Sequence, residues 1–440
     1  MPLLRRRNSQ PEQNLELPLQ ILRSSDSRSP KPLAKDLSSF CEFGRPTRIT
    51  STDFISFEGQ HGQVPTYVNE FWTAKQRQAC SLHEVSYRAC FKPQLPRFFI
   101  QRLTKLGDSV YDPFMGRGTT PLEAALLDRV PFGSDINPLS RVMTRPRLAP
   151  PTITQVEARL REIPLNDPAD TPEDLLAFYH PETLRNISSI KKYLQKRRLA
   201  QEVLDPVDDW IALVALNRLT GHSNGFFSVY TLPPNQAVSA KAQRKINEQR
   251  KQVPPRRAVV GIILKKSRQL LKDLTFSVRE SLERVRPKSL LLTNPANSTP
   301  QIASNSIELV VTSPPFLNVV QYGADNWLRC WFLGIDAKSV KLTIPTKLTD
   351  WQKAMTDVFK ELFRVVRPGG HIAFEVGEVH GGMTKLEEAV LPCGLSAGLQ
   401  PVLVLINDQL FTKTANCWGV DNMAKGTNTN RVVVFRKQGV

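Results

Sequence analysis

The stretch from Ser109 to Asp135 constrains this chain more than any other. Ser109-Val110-Tyr111 reads as a short strand running into Asp112-Pro113-Phe114-Met115-Gly116-Arg117-Gly118-Thr119-Thr120. Two glycines one residue apart at a strand-to-helix turn allow a sharp backbone and the close approach of a ligand. Pro121 to Leu127 follows as a helix, with proline in the first turn where its missing N–H costs nothing. Val130 to Ser134 is a second strand, ending at Asp135. Strand, glycine loop, helix and strand open a doubly wound, mostly parallel α/β sheet, in which ligands sit at the carboxyl ends of strands. An acid about twenty residues beyond the loop is where ribose hydroxyls are held. Asp135 is equally placed to cap the turn at Asn137-Pro138. Half of a G-x-G-x-x-G pattern by itself suits a dinucleotide, a nucleoside or a structural turn.

Pro96 to Leu106, just upstream, has the pattern of an amphipathic helix. The strand-and-helix alternation breaks off near residue 150 and resumes near 290. There Ile307 to Val311 forms a strand leading into Thr312-Ser313-Pro314-Pro315-Phe316. Trp351 to Val366 reads as a helix closed by Arg367-Pro368-Gly369-Gly370, followed by a strand from His371 to Val376. Leu403 to Ile406 and Arg431 to Arg436 read as the last strand pair. The expected organisation is a flexible basic arm over 1–65 and two halves of an α/β core over 66–150 and 291–440. Between the halves lies a mainly helical insert over 151–290. The arm is assigned on its mixture of Arg, Ser, Pro, Gln and Gly with little apolar periodicity.

Charge sharpens the picture of the insert. The 440 residues carry a net charge of +18 with a pI near 9.8, which favours a polyanionic partner. Residues 191–288 hold 21 Lys and Arg against 8 Asp and Glu, so 13 of the 18 excess charges sit there. They gather in two clusters, Lys191, Lys192, Lys196, Arg197 and Arg198, and Arg244, Lys245, Arg250, Lys251, Arg256 and Arg257. Each cluster is a phosphate-binding surface or a solvated helix face. Phe226 to Tyr230 reads as core of the insert, with a groove-reading loop as the other choice. No apolar run approaches the roughly 20 residues that span a bilayer. Six scattered cysteines fit a reducing cytoplasm. Cys80, His83 and Cys90 lack a fourth ligand at sensible spacing, so no metal is expected.

These segments together resemble the amino-methyltransferases of DNA modification. Asp112 to Thr120 looks like that family's D-P-F-x-G-x-G-T-T cofactor loop, and Thr312 to Phe316 like its T-S-P-P-Y catalytic loop with Phe for Tyr. Lys92-Pro93-Gln94-Leu95-Pro96 is similar to the segment that closes over the methionine part of the cofactor. Asn294 stands where the family usually has an acidic residue near the adenine ring. The order of cofactor loop, long insert and catalytic loop matches one of the family's permuted arrangements. The resemblance covers roughly 66–150 and 290–440.

The resemblance implies a class I, Rossmann-like methyltransferase fold with S-adenosyl-L-methionine as cofactor. Asp112, Phe114, Gly116, Gly118, Thr119, Asp135, Asn294 and Pro93 would hold it. Thr312, Ser313, Pro314, Pro315 and Phe316 would carry the chemistry. An exocyclic amino group is a poor nucleophile because its lone pair is delocalised into the ring. Acceptors on both amino protons free that lone pair, and the Ser313 hydroxyl and Pro314 carbonyl are placed to be those acceptors. The reacting nitrogen lies inside a base pair, so the base must flip out, and Phe316 would stack on it.

Thr-Ser-Pro-Pro leans toward cytosine N4 within the family, with adenine N6 the alternative. An RNA guanine-N2 methyltransferase and a catalytically decayed DNA-binding protein are the remaining readings. Cytosine-C5 methylation is rejected, because Pro392-Cys393 lies far from the strand end that holds Ser-Pro-Pro-Phe. The expected partner is double-stranded DNA, in a cytoplasmic, nucleoid-associated setting without a membrane. A cognate restriction endonuclease is a candidate second partner.

Overall fold

The computed structural model describes residues 32–73, 79–87, 90–165, 171–201, 204–231, 238–315, 322–336, 340, 345, 347–379, 384–409 and 429–439. In chain order it begins with α1 (Leu33–Ser38), β1 (Arg48–Ile55) and β2 (His61–Asn69). Next come α2 (Gln94–Leu103), β3 (Ser109–Asp112), α3 (Thr119–Leu126), β4 (Val130–Ser134) and α4 (Pro138–Leu148). A helical stretch follows with α5 (Ile153–Glu162), α6 (Pro181–Gln201), α7 (Pro206–Leu216), α8 (Ala240–Gln249), α9 (Val259–Leu271) and α10 (Phe276–Val285). The chain then returns to the sheet through β5 (Leu290–Leu292), β6 (Ile307–Thr312), α11 (Tyr322–Leu333), α12 (Leu348–Val365) and β7 (Val366–Val376). A two-stranded ribbon of β8 (Glu378–Val379) and β9 (Thr384–Lys385) precedes α13 (Leu386–Ser396), β10 (Gln400–Asp408) and β11 (Thr429–Arg436).

One nine-stranded sheet, in the order β1-β2-β10-β11-β7-β6-β3-β4-β5, organises the molecule. Strands β5, β4, β3, β6 and β7 are parallel neighbours. β11 lies between β7 and β10 and runs antiparallel to both. From β3 the chain moves outward through β4 to β5, then crosses back to β6 and β7. The β3–β6 junction is therefore the switch point of a doubly wound sheet, where binding crevices form. Both expected loops leave this junction, one from the end of β3 and one from the end of β6.

The sheet is packed on both faces. On one, Trp351, Phe359 and Leu362 of α12 and Val390 of α13 join Tyr111, Val310, Phe374 and Phe435. On the other, Phe98, Phe99 and Ile100 of α2 meet Val110, Val311 and Val432, together with Leu37, Phe71 and Trp72. The helical stretch is not a separate body. Its core, centred on α7, buried from Asp208 to Leu216, is continuous with Leu122 of α3 and Met143 of α4. Asp205 caps α7 by accepting from the Val207 and Asp208 amides at 2.9 and 3.0 Å. This satisfies two of the backbone donors that a helix start leaves without intrahelical partners.

The expectation of a flexible arm through residue 65 is corrected here. Residues 33–69 form α1 and two strands, and β2 extends the sheet by pairing in parallel with β10, Thr66 opposite Val404. The reason is physical. β1 is an edge strand exposed over most of its length, so its sequence carries no apolar alternation. Its inner face is marked by a buried hydroxyl pair, Thr52 with Thr66 at 2.7 Å, and by Phe54, partly buried against the core. No helix among the described residues is long and apolar enough to cross a membrane.

Candidate functional site

The glycine loop is built on two left-handed residues, Gly116 at φ +48° and Gly118 at φ +74°. Gly118 also stands at the N-terminus of α3, where a side chain would collide with the Thr144 hydroxyl. The loop is tied to the strands on either side. The Met115 amide donates to the Ser134 carbonyl at 3.0 Å and the Gly118 amide to the Met115 carbonyl at 2.5 Å. The Phe114 amide donates to Asp112 Oδ1 at 3.0 Å, and Phe114 itself is half-buried against the sheet core.

Asp135 performs the turn-capping role. Its Oδ2 accepts from the Gly116 amide at 2.9 Å and its Oδ1 from the Asn137 amide at 2.8 Å. It thereby joins the ends of β3 and β4 across the crevice. Burial pushes its pKa up, and these backbone donors oppose the rise. Asn294, beyond the end of β5, accepts the Ser134 hydroxyl on its carbonyl at 2.9 Å and is half-exposed beside Asp135. The Thr119 hydroxyl accepts from Arg117 Nε at 3.2 Å. Pro93, buried, precedes α2.

The second loop is clamped to the first. Thr312 Oγ1 donates to Asp112 Oδ1 at 2.6 Å, and both residues are buried. Burial raises the Asp112 carboxyl to about 7 despite the donors from Thr312 and Phe114. The Thr120 hydroxyl bonds the Val311 carbonyl at 3.0 Å. On the far side, Trp351 Nε1 donates to the Pro315 carbonyl at 3.2 Å, so a helix residue 36 positions further on fixes the height of the proline pair. Pro314 and Pro315 lack N–H groups and cannot extend the sheet. Phe316 lies outside the described residues.

Two side chains of the site escaped sequence reasoning. Glu375 sits near the end of β7, one residue beyond Phe374, which pairs with Thr312. Its buried carboxylate accepts the Asn430 amide of β11 at 2.8 Å and lies near the Ser313 hydroxyl. Burial raises its pKa while both donors oppose the rise. Only the strand register brings positions 313 and 375 together. Arg117, the middle residue of Gly-Arg-Gly, is buried and donates to the Val85 carbonyl at 2.8 Å and the Phe91 carbonyl at 3.4 Å. It ties Val85 and Phe91 to the glycine loop, with Tyr87 and Cys90 nearest Gly116. Arg147, fully buried, in turn donates to the Arg117 carbonyl.

The basic clusters of the insert are partly neutralised within the molecule. Arg197 pairs with Asp205 at 2.7 Å and Asp208 at 2.8 Å, and Arg198 donates to the Leu333 carbonyl. Lys191 lies over the Trp331 ring at 4.4 Å. Arg244 pairs with Asp174 and Arg256 with Glu182. Phe226, Phe227, Ser228 and Val229 are buried, as insert core should be.

Known proteins share parts of this sequence. A family model described as DNA methylase, of the N6/N4 type, matches residues 47–140 and so begins at β1. The Type II methyltransferase M.BsoBI of Geobacillus stearothermophilus is 24% identical over 302 residues, covering 59% of this chain and 54% of that protein. The Type II methyltransferase M.MvaI of Kocuria varians is 37% identical over 67 residues, 14% of this chain and 15% of its own. The chain thus spans about half the length of the first relative and less of the second. Among solved structures, a Thermus thermophilus protein described as a DNA modification methylase is 21% identical, with a TM-score of 0.19 over 31% of this chain and 47% of that one. TrmN from Thermus thermophilus is 12% identical, with a TM-score of 0.31 over 81% of this chain and 51% of its own. Over the cofactor-loop half and in its match to the Type II methyltransferases, the chain is similar to the DNA amino-methyltransferases.

Proposed function

We propose that this protein transfers a methyl group from S-adenosyl-L-methionine to an exocyclic amino group of a base flipped out of duplex DNA, with cytosine N4 the favoured acceptor. The observation that carries this reading is the nearness of the Ser313 hydroxyl to the buried Glu375 carboxylate, which opposes the burial-driven rise of that group's pKa. A hydroxyl has one proton to donate and two lone pairs to accept with. With its proton committed to Glu375, Ser313 turns its lone pairs toward the crevice as acceptors for an amino group. The Pro314 carbonyl is the second acceptor of the same loop.

The donor set fits the cofactor. Asp135 offers a carboxylate at the end of β4 for ribose hydroxyls, Asn294 an amide beside it for an adenine ring, and Phe114 a half-exposed aromatic edge. Gly116 leaves room that a side chain would fill, and Gly118 lets the loop backbone pack directly against Thr144. The cofactor supplies an electrophilic methyl carbon on a sulfonium. Ser313 and Pro314 draw the amino nitrogen toward tetrahedral geometry, which would free its lone pair to take that methyl group, the bonding pair leaving with the sulfur of the cofactor and one proton passing from nitrogen to water. Thr312, held by Asp112, and Pro315, held by Trp351, keep both acceptors at fixed height. Phe316 stacks on the flipped base, returning roughly 1–3 kcal/mol of the flipping cost. The helical stretch 151–290 serves as the target-recognition region.

Titration of the full chain with S-adenosyl-L-methionine, followed by methyl transfer to duplex DNA in competition with tRNA, tests the reading. Saturable cofactor binding with label entering the duplex is expected. Label entering tRNA alone, or no cofactor binding, contradicts it.

A further inference from the structure

Two desolvated cations lie where the insert meets the cofactor loop, and neither is neutralised by a carboxylate of its own. Arg218 follows the C-terminal cap of α7. It donates Nε to the Asn217 carbonyl at 2.8 Å and lays its guanidinium over the Phe226 ring at 4.1 Å. Among the described residues no acid pairs with it. Its terminal nitrogens have no hydrogen-bond partner there, and neither is sealed from solvent. Desolvation alone lowers its pKa, to about 10.

Lys266 of α9 is the second cation. It is buried and contacts Gln269 Oε1 at 3.2 Å. Burial, then repulsion from Arg218, brings its pKa down to about 8. The acid beside it is Glu84, 3.8 Å away, which Lys272 shares at 3.8 Å and Gln269 also bonds. Lys266 and Lys272 share one carboxylate, and Arg218 adds a charge that pairs with no acid among the described residues, which leaves an excess of positive charge. A desolvated excess of this kind costs free energy unless an anion occupies the site.

Its position says which anion. Glu84 begins the strip that reaches Ser86 and Tyr87. The Ser86 amide donates to the Asn217 side chain at 2.9 Å, and Tyr87 lies against Gly116 while accepting from the Asn137 amide at 3.2 Å. The cation pair is therefore one strip of chain removed from the cofactor loop. Above it, His222, Ser223 and Asn224 form an exposed loop tip. The surrounding insert carries the molecule's excess positive charge, which suits a polyanion.

We propose that Arg218 and Lys266 form a seat for one backbone phosphate of the DNA strand that delivers the flipped nucleotide. This rests on the proposed function and deepens it. Arg218 supplies the planar fork that matches phosphate oxygens, and Lys266 a point charge at its flank. A cation pair held in place before binding loses little side-chain freedom when the phosphate arrives.

The test measures duplex affinity of the full chain against salt for the wild type and for Lys266→Met, Arg218→Ala and Arg218→Lys. Lys266→Met keeps the alkyl volume, so it guards against a folding failure of Arg218→Ala. Binding of S-adenosyl-L-methionine without DNA is measured in parallel. Loss of one phosphate contact should lower the slope of log K on log salt by about one unit. Lys266→Met and Arg218→Ala are expected to show that drop with cofactor affinity within about twofold of wild type, and Arg218→Lys to keep most of the slope. An unchanged slope in Lys266→Met and Arg218→Ala while the wild type still methylates DNA overturns the seat and leaves the proposed function standing. Weakened cofactor binding with an unchanged slope assigns the site to the cofactor carboxylate and overturns the seat as well. Absence of methyl transfer to DNA by the wild type overturns the function itself, and the seat with it.

Discussion

Ser313 and Glu375 are sixty-two positions apart in the chain, yet the Ser313 hydroxyl lies beside the buried Glu375 carboxylate and holds its pKa down against burial. Register between β6 and β7 makes the pair. Glu375→Gln keeps the volume but removes the charge that holds the serine proton. Turnover is expected to fall about 10- to 100-fold, as for loss of a charge-assisted hydrogen bond worth roughly 1.5–3 kcal/mol, with cofactor affinity unchanged. Because burial raises the Glu375 pKa, wild-type activity should decline on the acid side as that group takes up a proton. The variant should lose this acid limb. Equal turnover, or an unchanged acid limb, contradicts the role.

Asp112 gives a stability signature. Its pKa is raised by burial from an ordinary 3.8 to about 7, so the folded state binds the proton more tightly than the unfolded chain. The resulting contribution to stability is complete below about pH 4 and is lost as pH rises toward 7. Asp112→Asn retains an oxygen to accept from Thr312 and Phe114 without the buried charge. Its melting temperature relative to wild type should therefore climb between about pH 4 and 7 and level off above. A difference independent of pH refutes this.

Gly118→Ala meets two obstacles, a left-handed backbone and the Thr144 hydroxyl. A loss of about 1–3 kcal/mol of stability is expected in denaturant unfolding. Adding Thr144→Ala should recover only the steric part. Full recovery would mean that the backbone conformation carries no strain.

Trp351→Phe removes the donor to the Pro315 carbonyl while keeping the ring in the core. Stability should fall by roughly 1 kcal/mol. Turnover should fall further than that loss explains, with cofactor affinity intact, because the proline pair is freed. Parallel losses in turnover and cofactor binding would point to general damage instead.

Much of the core is legible in the sequence alone. The glycine loop, the Ser-Pro-Pro loop and the strands feeding them are short-range patterns, and Asp135 follows at the usual interval. What stays hidden is long-range or set by the edge of the sheet. β1 is exposed on both faces at most positions, so its sequence looks like an arm. Glu375 acquires its partner only through strand register. The charge excess over 191–288 is real, but it does not reveal that Arg197 faces Asp205 and Asp208 while Arg218 pairs with no acid among the described residues. Sequence totals charge. Packing decides which of it is free for a phosphate.

Incubation of the protein with unmethylated genomic DNA and labelled S-adenosyl-L-methionine, followed by mass spectrometry of the released nucleosides, tests the central claim most directly. N4-methylcytosine is the predicted product. N6-methyladenine would correct the base while keeping amino methylation, and no methylated nucleoside in the DNA would contradict the account.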